Sequence, residues 1–218
     1  MAQITGIIPQ KRLYIGCAGW SLSRAVVPDM PAEGSQLEKY ASMFRAVEIN
    51  SSFSRSHRRD TYERWAASVA PSFRFSVKVP KTITHEKKLA DALGLMEKFL
   101  GEIAGLGNKL GALLIQLPPS LEFEPDVARP FFEWVREHHE GDVFLEPRNR
   151  SWFTLPANKM LYDLRLGRVA ADPTVVQSAG EPGGVAGRVY FRLHGSPQIY
   201  FSSYTSSYLE GLAFRLRM

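Results

Sequence analysis

Apolar runs of strand length alternate with stripes of helical period along most of the chain. Arg12 to Ala18 (RLYIGCA) reads as a first strand and ends in Gly-Trp-Ser. Leu37 to Phe44 sets Leu37, Tyr40, Ala41 and Phe44 on one helical face. Ala46 to Phe53 is a second strand with a polar exit, and Arg58 to Val69 a helix anchored by Tyr62, Trp65 and Ala66. Phe73 to Pro80 is a third strand. Ala92 to Leu106 carries Leu93, Met96, Phe99, Leu100 and Ile103 at helical spacing, with Gly105 and Gly107 as stops. Leu110 to Leu117 is a fourth strand, closed by Pro118 and Pro119, and Pro125 to His138 is the next helix. Val143 to Pro147 is a fifth strand, Leu155 to Leu166 a helix, and Arg168 to Asp172 a short sixth strand stopped by Pro173. Thr174 to Gly187 reads as a surface loop. Arg188 to His194 is a seventh strand, and Tyr204 to Leu216 fits a last helix.

Seven strand–helix units in series predict a parallel sheet. Right-handed crossovers leave two architectures, a doubly wound sheet or a closed (β/α) barrel. A barrel has eight units and typically about 250 residues, so this chain is short by roughly one unit. The expectation is a single α/β domain over residues 1–218, a TIM-like barrel whose eighth unit is missing or truncated at the C-terminal end.

Composition narrows the class. Hydrophobic residues are 44% of the chain and charged residues 22%, ordinary for a globular protein with a sizeable core. The formal net charge is +5, which permits phosphate-rich partners without requiring them, and no dense Lys/Arg block is present. Cys17 is the single cysteine, which excludes an internal disulfide and a cysteine zinc cluster. No charged lead and long apolar run opens the chain, and no stretch is long enough to span a membrane; cytoplasm is the default location.

In a parallel sheet the carboxyl ends share one face, and polar residues there usually serve binding or chemistry. The predicted exits carry Cys17 and Trp20, then Glu48 and Asn50, Lys78 with His85 beyond it, Gln116, Glu146 and Arg148, Asp172, and finally Arg192 and His194. Glu146 and Arg148 are two apart, so they point to one side if the strand persists. One serves as base or metal ligand and the other as an anion clamp; mutual charge compensation is the alternative. Glu48 is either a proton-transfer group or the salt-bridged support of a neighbouring arginine. Lys78 stands among Phe75, Val77 and Val79, where desolvation would make it a Schiff-base nucleophile. Carboxylate pairing or anion binding is the preferred role for it. His194 is an acid/base or a hydrogen-bonded loop support, and Gly195 after it would let a ligand approach the backbone.

Glu48, Glu146, Asp172, His194 and His85 or His57 offer metal donors, but no compact ligand spacing such as HExxH occurs, and metal ranks below direct anion binding. Trp20, Phe53, Trp152, Tyr200 and Tyr204 are rim aromatics able to stack on a sugar or base, each with a packing role as the alternative. Trp20, Asn50, Lys78, Gln116, Arg148, Trp152, Asp172 and Arg192 are the candidate substrate-binding residues. Glu48, Glu146 and His194 are the candidate catalytic ones. No motif names a cofactor or an oligomeric state.

Seven stretches carry a resemblance: IGCAGWS at 15–21, YASMFRAVEINSSF at 40–53, FRFSVKVPKTITHEKKL at 73–89, LGALLIQLPPSL at 110–121, VFLEPRNRSWF at 143–153, VAADP at 169–173 and YFRLHGS at 190–196. Together they resemble the family called domain of unknown function 72, or YecE-like. The resemblance implies a TIM-like (β/α) barrel and, as the name says, no established activity. Members usually continue to a further strand bearing a Phe-Asn-Asn segment, which this chain lacks; it ends in FRLRM.

Three functions stay open. The first is an enzyme, a hydrolase or isomerase, acting on a small anionic or phosphorylated ligand held by Arg148, Arg192 and Lys78, with Glu146 or Glu48 moving a proton and His194 assisting. The second is a nucleic-acid-binding protein or metal-assisted nuclease, which rests on the basic charge, the rim aromatics and a fold analogy to barrel nucleases. The third is a non-catalytic metabolite-binding protein.

Overall fold

A computed structural model describes residues 13–22, 31 and 33–217. Four strands in chain order pair in parallel: β1 (Ala46–Ile49), β2 (Arg74–Lys78), β3 (Leu110–Gln116) and β4 (Asp142–Glu146). β5 (Gly167–Arg168) continues the parallel order beside β4. β6 (Ala170–Asp172) follows at once and pairs in parallel not with β4 but with β8 (Phe191–Leu193). The expected sixth strand is therefore split. Its first half bonds to β4, Val169 N–H still reaches the Leu145 carbonyl, and Ala170 N–H then turns to Tyr190. The result is a mixed α/β fold around a mostly parallel sheet, and among the described residues no strand closes it.

Two expectations need correction. Arg12 to Ala18 forms no full strand: Arg12 lies outside the described residues, and of the rest only Ala18 makes a bridge, to Glu48. Leu13 and Ile15 are exposed. The Thr174 to Gly187 loop holds a 3-10 turn, Gln177–Gly180, and a short strand β7 (Gly183–Gly184) running antiparallel to β5. Glycine makes this possible: Gly184 has φ +74°, and a Cβ there would lie 2.1 Å from the Leu166 carbonyl oxygen.

Five helices cover the outer face: α1 (Gln36–Ala41), α2 (Arg59–Ala67), α3 (Leu93–Ile103), α4 (Pro125–His138) and α5 (Leu155–Asp163). α4 shows why the sequence folds locally as it does. Proline opens its first turn, where the missing N–H costs nothing, and Ala128, Phe131, Phe132 and Val135 form its buried stripe. α1 starts on a capping box between Ser35 and Glu38. A last helix, α6 (Ser206–Arg217), buries none of its residues. Among the described residues no helix is long and apolar enough to cross a membrane.

The pleat sorts the strand residues into two faces. Val47, Ile49, Phe75, Val77, Leu113, Ile115, Val143 and Leu145 face the helices in one large core. The alternate residues build a smaller apolar cluster, Ala112, Leu114, Phe144, Val169 and Ala171, packed by Tyr190. The same alternation carries Glu48, Lys78, Gln116, Glu146 and Arg192 to the inner face near the strand ends.

Tyr40 ties the first segment to the sheet. It is fully buried; its hydroxyl accepts from Cys17 N–H at 2.7 Å and donates to the Ala46 carbonyl at 2.8 Å. Tyr40→Phe strips both groups of a partner and is expected to cost about 1–3 kcal/mol. Urea unfolding checks this; an unchanged midpoint would contradict it.

Candidate functional site

The carboxyl ends of the parallel strands meet in a buried cluster of charge. Arg192, on β8, is its hub and is 8% exposed. Its Nε and Nη2 donate to the two oxygens of Glu48 at 3.0 and 2.8 Å, and its Nη1 donates to Glu146 at 2.5 Å. Arg148 donates to the other oxygen of Glu146 and lies 3.2 Å from His194 Nε2. His194 Nε2 is 3.6 Å from Glu146, and Gln116 donates its amide to Glu146 at 3.0 Å. Glu48 starts on β1 and Arg192 on β8, which share no ladder bond; the sheet has to curl for them to meet. Tyr190 makes the same crossing, donating to Glu48 at 2.9 Å and sharing a 2.7 Å hydrogen bond with Ser76 on β2.

The electrostatics follow from this packing. Burial pushes the Glu146 carboxyl up, but the nearby His194 imidazole and the charges of Arg192 and Arg148 outweigh it, and the group sits below the ordinary carboxylate value. Arg192 is also desolvated, yet Glu146 and Glu48 hold its proton more firmly than usual. Desolvation raises the Tyr190 hydroxyl well above its ordinary value, and the Glu48 charge adds to that.

Lys78 differs from its neighbours. It is 6% exposed at the end of β2, its ammonium 3.9 Å above the Phe53 ring. Among the described residues no carboxylate forms an ion pair with it, because Glu48 and Glu146 are engaged by the arginines. Desolvation first, then Arg192, lowers its pKa to about 8 against the partial counterweight of Glu48 and Glu146. His85, edge-on to Phe53 at 5.0 Å, is lowered by burial and by Lys78.

Of the residues singled out in the sequence, Glu48, Gln116, Glu146, Arg148, Arg192 and His194 come together, with Lys78 alongside. Among the described residues Trp20, Asn50 and Trp152 share no hydrogen bond with that group, and Asp172 meets it through the backbone, its carbonyl accepting from His194 N–H at 2.9 Å. Trp20 packs edge-on to Trp65 at 5.0 Å. Asn50 is exposed at the exit of β1. Trp152 is wholly buried, donates to the Leu121 carbonyl at 3.0 Å and lines a cavity of about 170 Å³ with Val127 and Ala128. Asp172 accepts from Tyr204 at 2.6 Å. Gly195, with φ +93°, brings its N–H to the Tyr204 hydroxyl at 3.0 Å, and a Cβ there would meet the Ser202 carbonyl. Its freedom serves a tight turn behind His194. Tyr190 and Ser76 are the participants that sequence reasoning missed. Their signal was period two: Tyr190 precedes Arg192, and Ser76 precedes Lys78, each by two positions. Among the described residues no three His, Cys, Asp or Glu side chains are grouped to hold a metal ion.

A pH dependence follows from Glu146. Its folded pKa lies below the unfolded one, so its stabilisation is present above the ordinary carboxylate range and is lost as pH falls through the lowered value. Glu146→Gln is expected to flatten the acid limb of the stability curve, measured by denaturant midpoints at successive pH values. An acid limb as steep as that of the unaltered chain would contradict it.

Known proteins share this architecture. A crystal structure of a DUF72 family protein from Thermotoga maritima MSB8 superposes with TM-score 0.70 at 24% identity, covering 91% of this chain and 84% of that one. Another from Enterococcus faecalis V583 gives TM-score 0.70 at 20% identity, over 92% and 82%. In sequence, UPF0759 protein YunF of Bacillus subtilis is 29% identical over 178 residues, 78% of this chain and 61% of YunF. UPF0759 protein YecE of Escherichia coli K12 is 31% identical over 106 residues, 49% of this chain and 38% of YecE. The chain thus spans under two thirds of the length of these curated relatives. The profile of the family described as "Protein of unknown function DUF72" matches residues 14–218, and the chain belongs to that family.

Proposed function

We propose that the charged cluster is the binding and proton-transfer site of an enzyme for a small anionic or phosphorylated ligand, at the mouth of an open (β/α) barrel. One observation carries this reading: three cations, Lys78, Arg148 and Arg192, face two carboxylates, and among the described residues Lys78 is the one of the three without an ion pair. An excess positive charge in a desolvated place favours an anion as its missing partner. Arg148 keeps 21% of its side chain open and offers the approach. Glu146, held as a carboxylate beside Arg192, Arg148 and His194, is placed to accept a proton. The curl that lets Glu48 meet Arg192 supports the barrel reading.

Inorganic phosphate and small phosphorylated compounds are expected to raise the melting temperature at low salt, with uncharged analogues inert. The shift should vanish in Arg148→Ala. Equal insensitivity to every anion would defeat the reading.

A further inference from the structure

We propose that Lys78 is an imine-forming nucleophile, and that the ligand of this site is a carbonyl compound carrying a carboxylate or phosphate group. The inference deepens the anion-site reading and rests on it for the charged part of the ligand.

The geometry supplies what such an amine needs. A lysine attacks a carbonyl only as the neutral amine, so it must be kept from a carboxylate that would hold its proton. Here both nearby carboxylates are taken: Glu48 by Arg192 and Tyr190, Glu146 by Arg192, Arg148 and Gln116. Lys78 is buried against Phe53, with the cations of Arg192 and Arg148 working against its charge, and its pKa of about 8 leaves a useful neutral fraction near neutrality. A surface lysine near the ordinary value of about 10.4 has a neutral fraction hundreds of times smaller. Lys78 still keeps 6% of its surface open, so its amine is not sealed in. The groups facing it complete the chemistry. Arg148 binds the anionic arm, and the Glu146–His194 pair, 3.6 Å apart, handles protons.

The step balances without an added reagent. The amine nitrogen donates its lone pair to the carbonyl carbon, the C–N bond forms, and the carbonyl oxygen takes up a proton. The nitrogen loses one proton to give the carbinolamine, the hydroxyl departs with a proton as water as the C=N bond closes, and the iminium nitrogen gives up its second proton to leave the imine. Amine plus carbonyl gives imine plus water.

The test uses the full chain with pyruvate, glyoxylate or dihydroxyacetone phosphate as separate probes at neutral pH, with cyanoborohydride as the hydride donor. Peptide mapping by mass spectrometry is expected to find Lys78 labelled at least about tenfold above any other lysine, with a gain equal to the probe less one oxygen atom. Inorganic phosphate should suppress the label. The oxo acids and the phosphorylated ketone distinguish a carboxylate arm from a phosphate arm. Labelling spread evenly over surface lysines, or absent from Lys78 with every probe, overturns the imine. Phosphate-dependent thermal stabilisation run in parallel separates the two readings: if it persists while Lys78 stays unlabelled, the imine alone fails; if both vanish, both fail.

Discussion

Arg192→Met is expected to lower stability by about 3–5 kcal/mol, the cost of leaving a buried carboxylate without its partner. For a chain of this size that is a fall in melting temperature of roughly 10 °C. The reason lies in how completely the guanidinium is used. All three of its nitrogens donate to carboxylates, and Glu48 and Glu146 are 7% and 1% exposed. Water cannot replace the lost donors, and Lys78 forms no ion pair with either carboxylate. Arg148 keeps Glu146 partly satisfied, so Glu48 bears most of the loss. A second variant separates charge from packing: Glu48→Gln in the Arg192→Met background should recover part of the stability. A single-variant loss below about 1 kcal/mol would mean the cluster is far wetter than its burial indicates.

Lys78→Met should act in the opposite direction. The lysine's folded pKa of about 8 lies below its ordinary value, so its charged form is worse placed in the native state than in the unfolded chain. Between pH 8 and the unfolded value the unfolded chain holds a proton that the native chain has released, and stability therefore rises with pH across that window. Below pH 8 the penalty is present in full. A shift of this size corresponds to about 3 kcal/mol, and the open edge of the site reduces it to on the order of 2 kcal/mol. Removing the amine is thus expected to stabilise the protein at neutral pH by about that amount and to abolish the alkaline rise. The predicted loss of imine chemistry in the same variant would make Lys78 a residue kept for function at a cost in stability. Denaturant midpoints of both chains from neutral pH to pH 10 check this. A destabilised variant with an unchanged alkaline slope would contradict it.

The order and parallel direction of β1 to β4 were legible because short apolar-rich runs alternate there with stripes of helical period. Polar residues at the ends of those runs then pointed to one face, and most of the cluster came from that argument alone. The pairing within it was not legible. Glu146 and Arg148 meet as period two predicts, yet the bonds from Arg192 to Glu48 depend on how far the sheet curls, which no local pattern encodes. Trp152 shows the reverse limit: it follows a polar rim segment in sequence, but its indole turns under that segment into the helix-side core. The split after β5 was hidden because Arg168 to Asp172 has the pattern of one strand, while its backbone bonds change neighbours midway.

In the proposed site a desolvated Lys78, without an ion pair among the described residues, faces the place where an anion would bind. The most direct test is the titration of lysine Cε resonances by NMR in protein carrying ¹³C-labelled lysine, with and without inorganic phosphate. One lysine, absent from the Lys78→Met spectrum, is expected to titrate near pH 8 and to move to higher pH when phosphate is added. All lysines titrating near their ordinary value, with no response to phosphate, would contradict it.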